Sequence, residues 1–266
     1  MNQPKISVIM PVYNTRQWVW EAIESILNQT FEDFEFIIID DYSTDWSYEI
    51  CREYAKKDER IRLYRNDKNS WIAYTKNKLI LLTKTNYIAS QDSDDISCKN
   101  RLHIEYYFLE KHKEYAVVSW NNIIIDEKWN FIWHREYSDN IRHVILKKAP
   151  VSHPTTMIKK DAFEKVWWYS RDSYVEDYDL WIKFYVMWYK IKNIDMDLLK
   201  YRIRKWSHKS KVKETIKWTL ECQRKAYKKI KPSFSDLCYH FALSCLLVLP
   251  NPVIFKLFKW IEFRTK

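Results

Sequence analysis

The chain has 266 residues, 47% of them apolar, and a formal net charge of +10. That length allows one large domain, or a domain with an extension, and the charge points to anionic partners: nucleotide phosphates, nucleic acid or an acidic membrane surface, with plain solubility as the simpler account. No apolar run is long enough for a transmembrane helix, the start MNQPKISVIM is unlike a signal peptide, and five scattered cysteines without a CxxC pair suit reduced thiols in a cytosolic protein.

The elements follow in chain order. Residues 6–12, ISVIMPV, form an apolar run stopped by Tyr13 and Asn14, as in a buried strand. In residues 16–30, Val19, Ala22, Ile23, Ile26 and Leu27 recur at helical spacing, so a helix packs back on that strand. FEFIIID at 34–40 predicts a second buried strand. A helix over 47–59 follows, with Asp45 as its expected N-cap. IRLYRN predicts a short strand, residues 72–83 a helix and NYIAS a strand. Strands alternating with helices of this length predict an α/β fold around a mostly parallel sheet. Beyond residue 95 the rhythm changes. A helix over 100–113, a strand at 115–120 and a hairpin over 121–133 are expected, then a strand running into a helix over 155–166, a helix over 177–187 and a late strand at 197–204. From about 209 the chain reads as basic and helical, and its apolar tail is broken by Pro250 and Pro252.

Ligands of open α/β sheets bind beyond the carboxyl ends of the strands, and three acidic clusters fall there. Asp40 and Asp41 end the second strand, where carboxylates can accept from a nucleobase or a ribose hydroxyl, or serve only the turn. QDSDD places Asp92, Asp94 and Asp95 within four residues. Hard oxygen ligands so close suit Mg²⁺ or Mn²⁺ on a diphosphate, although a solvated loop looks the same in sequence. Glu176, Asp177 and Asp179 open a helix, where acids are favoured by the helix dipole but can also supply a general base. Lys76, Arg202 and Arg204 can face phosphates or water. The seven histidines show no HExxH spacing, and a chain without glycine has neither a P-loop nor a GxSxG elbow.

Taken in order, ISVIMPVYN, ESILNQTFEDFEFIIIDDYSTDWS, QDSDDI and EDYDLW closely resemble family 2 glycosyltransferases of the GT-A fold, over about residues 5 to 205. The resemblance implies a Rossmann-like domain over 1–208 with a helical extension over 209–266. It implies a nucleotide-sugar donor, UDP-linked by family analogy, a divalent cation (Mn²⁺ or Mg²⁺), and inversion by direct displacement. Pro11 and Tyr13 would line the nucleoside pocket, with Asp41 on the base and Asp40 on the base or ribose. Lys76 stands where the family often has an arginine near the nucleotide. Asp92 and Asp94 match the DxD motif, with Asp94 as the foremost metal ligand and Asp95 beside it. Asp177 matches the catalytic base, preceded by Glu176. The implied partners are a glycan or lipid-linked acceptor, with no nucleic acid; residues 236–264 either meet a membrane surface at the inner face of the plasma membrane or pack onto the catalytic domain. Two other readings stay open beside this one. A nucleotidyltransferase would want a Gly-rich basic loop after the first strand, which PVYNTRQW does not provide. A non-catalytic nucleotide binder gains weight from the composition.

That composition has no glycine and 14 tryptophans, where average usage would give roughly 19 glycines. The family writes the turn after the second strand Asp-Gly-Ser-x-Asp-Gly-Ser, and Trp46 stands at its second glycine. Trp71 takes the glycine of N-x-G-x-x-x-A-R-N, and Trp120, Trp167, Trp168, Trp188 and Trp206 also fall where glycine is common. Trp129 and Trp133 flank a hairpin that suits glycine, whereas Trp181 and Trp18 match expected aromatics. The expectation is that many of these tryptophans are glycine in the organism's protein, through a reassigned UGA codon. Tyr42 and Leu79 also stand at usual glycine positions; the codon explains neither them nor the complete absence of glycine, and deliberate substitution is the rival account.

Overall fold

The structure, a computed structural model, describes residues 3–170, 173–204, 212–254 and 257. The chain alternates β1 (Ile6–Val12), α1 (Val19–Leu27), β2 (Phe34–Asp40), α2 (Ser47–Ala55), β3 (Ile61–Arg65), α3 (Ile72–Leu82) and β4 (Tyr87–Ser90). These four strands are all parallel, in spatial order β3-β2-β1-β4. The parallel register explains the apolar runs, because both faces of the sheet are covered. Ile6, Val8, Met10 and Val12 of β1 and Phe34, Phe36 and Ile38 of β2 enter one core beneath α1 and α4 (Arg101–Lys111). Ile9, Ile37 and Ile39 point to the other face, with Ala73, Leu79 and Ile80 of α3.

The second half is mixed. It contains β5 (Ile96–Ser97), β6 (Tyr115–Ile125), β7 (Phe131–Arg135), α5 (Ile141–Ile145), β8 (Met157–Lys159), α6 (Lys160–Lys165), α7 (Glu176–Val186) and β9 (Lys190–Arg202). The sheet continues from β4 through β8, β6 and β9 to β5, with β7 hydrogen-bonded to β6. β8 runs antiparallel to β4 and β6, and β9 runs parallel to β6. The short elements β5 and α5 carry too few residues for a periodic signal. β9 begins seven residues before the expected late strand, because its polar start, KIKNIDMD, hides a strand that pairing with β6 holds in place.

The expected boundary at 208/209 falls outside the described residues. Past it, α8 (Val212–Tyr227) lays Cys222 and Ala226 into the core shared with α7, and α9 (Phe234–Cys245) packs on α8 through Leu243, next to Ile216 and Leu220. Ser233 and Asp236 form a capping box at the start of α9. No helix among the described residues is long and apolar enough to cross a membrane. Phe255, Lys256, Phe258, Lys259, Trp260 and Arg264, expected on an interfacial helix, lie outside the described residues, as does Trp206. One local expectation needs correction. The capping position of α2 is Trp46, not Asp45, although the Asp45 carboxylate still accepts from the Ser47 amide at 3.1 Å.

Eight described residues other than glycine have positive φ: Asn14, Tyr42, Trp46, Trp71, Trp129, Trp167, Trp168 and Trp188. Trp120 and Trp133 do not belong to that group. They are strand residues with buried indoles, Trp120 beside a register shift in the pairing of β6 with β9.

Candidate active site

The carboxyl ends of β1, β2 and β4 meet the N-terminus of α7 across a cleft of about 850 Å³. Pro11 lines it from β1, Tyr13 and Asp41 from just past the ends of β1 and β2, Asp92 and Asp94 from the loop after β4, and Lys76 from α3. Glu176 and Asp177 close it from the far side, with His153 of a short 3-10 turn and Arg204 just past β9. Residues far apart in sequence converge because parallel strands deliver all their carboxyl ends to one edge.

Asp40 does not join this wall. Its side chain is fully buried, accepts from the Ser43 amide at 3.1 Å and pairs with Arg65 at 3.1 Å. Burial raises its pKa, against the lowering effect of Ser43 and Arg65. Asp40 therefore holds the turn, and Asp41 faces the cleft. The Asp41 carboxylate accepts from Asn66 at 2.7 Å and from the Ser70 amide at 3.0 Å, which fixes its orientation.

The acidic loop is framed from outside. Buried Arg101 pairs with Glu105 at 2.9 Å and donates to the Ser90 carbonyl and to Gln91 Oε1. Gln91 in turn donates to the carbonyls of Asp92 and Asp95 at 3.0 and 2.9 Å. Asp95, expected near the metal, is turned towards β9, where its Oδ1 accepts from the Arg202 amide at 2.9 Å. Asp92 and Asp94 remain on the cleft, and Arg204 Nε lies 2.8 Å from Asp94. Burial raises the Asp92 pKa to about 6, with Lys76 opposing and Asp94, Glu176 and Asp177 adding to the rise. Burial likewise raises Asp94, against Arg204.

Among the described residues no three His, Cys, Asp or Glu side chains cluster as a ready metal cage. Two cleft-facing carboxylates on one turn still suit a hard cation that takes its other oxygens from water and phosphate, the usual arrangement for Mg²⁺. The donor set therefore fits Mg²⁺ or Mn²⁺ on Asp92 and Asp94; Asp95 does not line the cleft, its Oδ1 being engaged by β9.

Lys76 does not stand free as a phosphate ligand. Its ammonium pairs with Glu176 at 2.9 Å and lies 5.3 Å from the Tyr169 ring centre. Burial would lower its pKa, but Glu176, Tyr169, Asp92 and Asp177 outweigh that and leave it raised, so Lys76 stays charged. Asp177 is raised by burial first and Glu176 second, with Lys76 opposing, and its Oδ1 accepts from the Tyr178 amide at 2.7 Å. A carboxylate so placed is a stronger base than a solvated one. Behind it, His153 Nε2 meets the Tyr169 hydroxyl at 2.6 Å, and burial, Lys76 and Arg101 keep the imidazole neutral.

Of the two late arginines, Arg204 reaches the cleft. Arg202 is buried, contacting Glu21 and donating to the Asp94 carbonyl at 3.0 Å. Sequence reasoning missed Gln91, Arg101, His153 and Tyr169, whose importance comes from partners distant in the chain.

A family model described as "Glycosyl transferase family 2" matches residues 7–167. The O-antigen biosynthesis glycosyltransferase WbnJ of Escherichia coli is 32% identical over 248 residues, covering 89% of this chain and 94% of WbnJ. Glycosyltransferase GlyG of Streptococcus pneumoniae is 33% identical over 218 residues, 76% of this chain and 72% of GlyG. Among solved structures, TarS 1-349 of S. aureus in complex with UDP-GlcNAc superposes with a TM-score of 0.70 at 18% identity, covering 90% of this chain and 73% of that one. Mannosyltransferase PcManGT of Pyrobaculum calidifontis, in complex with GDP-Man and Mn²⁺, gives 0.68 at 15% identity, covering 95% and 72%. With a family model spanning more than half its length and relatives above 30% identity along most of theirs, the chain belongs to the family 2 glycosyltransferases and has their GT-A fold.

Proposed function

We propose that the protein transfers a sugar, with inversion, from a nucleotide-sugar donor to an acceptor hydroxyl in cell-surface glycan synthesis. The observation that carries this is the placement of Asp177 across one cleft from Asp41, Asp92 and Asp94. Pro11 and Tyr13 hold the nucleoside, and Asp41, fixed by Asn66 and Ser70, accepts from the base. Mg²⁺ or Mn²⁺ held by Asp92 and Asp94 would neutralise charge on the departing diphosphate. Asp177 takes the acceptor proton as the hydroxyl attacks the anomeric carbon from the face opposite the leaving group. The fold neighbours crystallised with UDP-GlcNAc and GDP-Man support a nucleotide-sugar donor, and WbnJ, named for O-antigen biosynthesis, supports a surface glycan. A UDP-sugar is the first choice of donor.

A second, mostly apolar groove of about 240 Å³ also reaches Asp177, lined by Val175 and Tyr178 together with Val212, Ile216, Tyr239 and Leu243. Opening beside the proposed base, it suits a lipid-linked acceptor. Phe234, Leu237, Phe241 and Val248 form an exposed apolar stripe on and after α9, near the exposed Lys228, Lys229 and Lys231. An apolar stripe beside lysines suits an anionic membrane surface. The test is a panel of UDP-, GDP- and dTDP-sugars with Mn²⁺ or Mg²⁺, the product's anomeric configuration being read by NMR. Turnover with retention, or none with any donor, refutes the reading. For the membrane contact, Phe241→Asp should lower co-sedimentation with anionic vesicles several-fold, and unchanged binding would remove α9 from the proposal.

A further inference from the structure

The six positive-φ tryptophans stand at places where backbone geometry asks for glycine, each for its own reason. Trp188 follows α7, whose C-cap is Met187. The Trp188 amide donates to the Tyr185 carbonyl and the Tyr189 amide to the Phe184 carbonyl, both at 3.0 Å. That pair of bonds is a Schellman motif with Trp188 at the left-handed position, where glycine is the usual residue. Trp167 occupies the matching place after α6, with C-cap Val166, φ 64° and its amide 3.4 Å from the Glu164 carbonyl. Trp168 follows at φ 63°. Trp129 ends the turn between β6 and β7, its amide donating to the Asp126 carbonyl at 3.2 Å, as at the left-handed residue of a bulged hairpin turn.

Trp46 and Trp71 precede α2 and α3. Trp46 sits at φ 73°, ψ 7°, and Trp71 at φ 69°, ψ 151°, a region open essentially to glycine alone. No packing offsets the conformation at several of these sites: Trp188 is 89% exposed, Trp167 84% and Trp46 64%. Trp129 does find company, donating to Glu21 at 3.0 Å, and Trp168 is half-buried against the core. Functional strain is a poor alternative, because Trp129, Trp167, Trp168 and Trp188 are not among the residues that line the donor cleft. The tryptophans that pack as tryptophan should, Trp181 above all, have no positive φ.

We infer that glycine is the native residue at positions 46, 71, 129, 167, 168 and 188, and that the donor cleft is open where the Trp71 indole stands. The backbone part is independent of the proposed activity; only the cleft part rests on it. The indole at 71 lines the cleft and stands edge-on to Tyr174 at 5.9 Å between ring centres. A glycine there leaves that volume to the donor.

The first experiment is peptide mapping of the protein from its source. Glycine masses at these positions support the inference, and tryptophan masses overturn it. The second compares the recombinant chain as written with the variant Trp46→Gly, Trp71→Gly, Trp129→Gly, Trp167→Gly, Trp168→Gly, Trp188→Gly. The glycine set should raise Tm by about 10 °C or more, given roughly 2–4 °C for each position relieved. Trp181→Gly, at a buried helical site, should lower it. A glycine set that melts at or below the written chain overturns the inference whatever the activity. Binding of UDP with Mn²⁺, measured by calorimetry before and after Trp71→Gly alone, tests the cleft: at least several-fold tighter binding is expected, and equal or weaker binding refutes an obstructing indole. If neither protein binds UDP while the Tm shift holds, the proposed donor fails and the glycine assignment stands.

Discussion

The floor of the cleft and the turns around the sheet constrain the chain in opposite ways. At the floor the side chain decides: Lys76, Glu176 and Asp177 are held by burial and by one another, and removing any charge alters its neighbours. In the turns at Trp46, Trp167 and Trp188 the backbone decides, and the side chain projects into water. A substitution that is drastic in chemistry should therefore be harmful at the floor and helpful in the turns.

The sharpest test of that contrast is Asp177→Asn. It keeps the shape of the floor and removes the base, so kcat should fall by about 10³-fold within the usual range for a lost general base, with UDP binding unchanged. Equal loss of UDP binding would show that Asp177 acts on the donor. Lys76→Met comes next. Breaking a buried ion pair leaves Glu176 uncompensated and should cost about 3–5 kcal/mol in a denaturant titration. It also has a sign in pH. Asp177 works ionised, so activity is lost as pH falls through its pKa. Lys76 holds that pKa down, and without Lys76 the acid limb should move to higher pH. A limb that stays in place or moves down would separate Lys76 from the base.

Asp94→Asn should lower kcat/KM by about 10²-fold, or about 2.7 kcal/mol of transition-state stabilisation, and raise the Mn²⁺ concentration needed for half-maximal rate. Asp95→Asn, on the side of the loop facing β9, should leave that Mn²⁺ dependence alone, its cost appearing in stability. A reversal of the two would return Asp95 to the metal. The smallest effect reverses the direction. Trp188→Gly alone should stabilise the protein by about 1 kcal/mol, a Tm rise of roughly 2–4 °C, with kcat unchanged. A fall in Tm would mean that the indole is used.

Much of this was readable from local pattern. The apolar runs of β1 and β2 predict strands buried on both faces, and the period of Val19, Ala22, Ile23 and Ile26 predicts the face that α1 buries. The acidic residues were recognisable because carboxylates at strand ends are few and their order is informative. The pairing of β6 with β9 was not readable, since the start of β9 breaks Ile191, Ile194 and Met196 with lysines, an asparagine and aspartates, and backbone bonds to β6 hold it. Neither was the division of labour within each acidic pair. Asp40 and Asp41 are adjacent and alike in sequence, and successive strand-end residues point to opposite sides, so one braces Arg65 while the other faces the cleft.

Residue order alone thus set the strand-and-helix rhythm, the acidic clusters and the suspicion that tryptophan stands in for glycine, because each depends on neighbours a few positions apart. Tertiary structure decided which carboxylates face the cleft, that Lys76 answers Glu176 across 100 positions, and at which tryptophans φ is positive. Burial, ion pairing and backbone strain arise only when distant segments are pressed together, and no short window of sequence contains them.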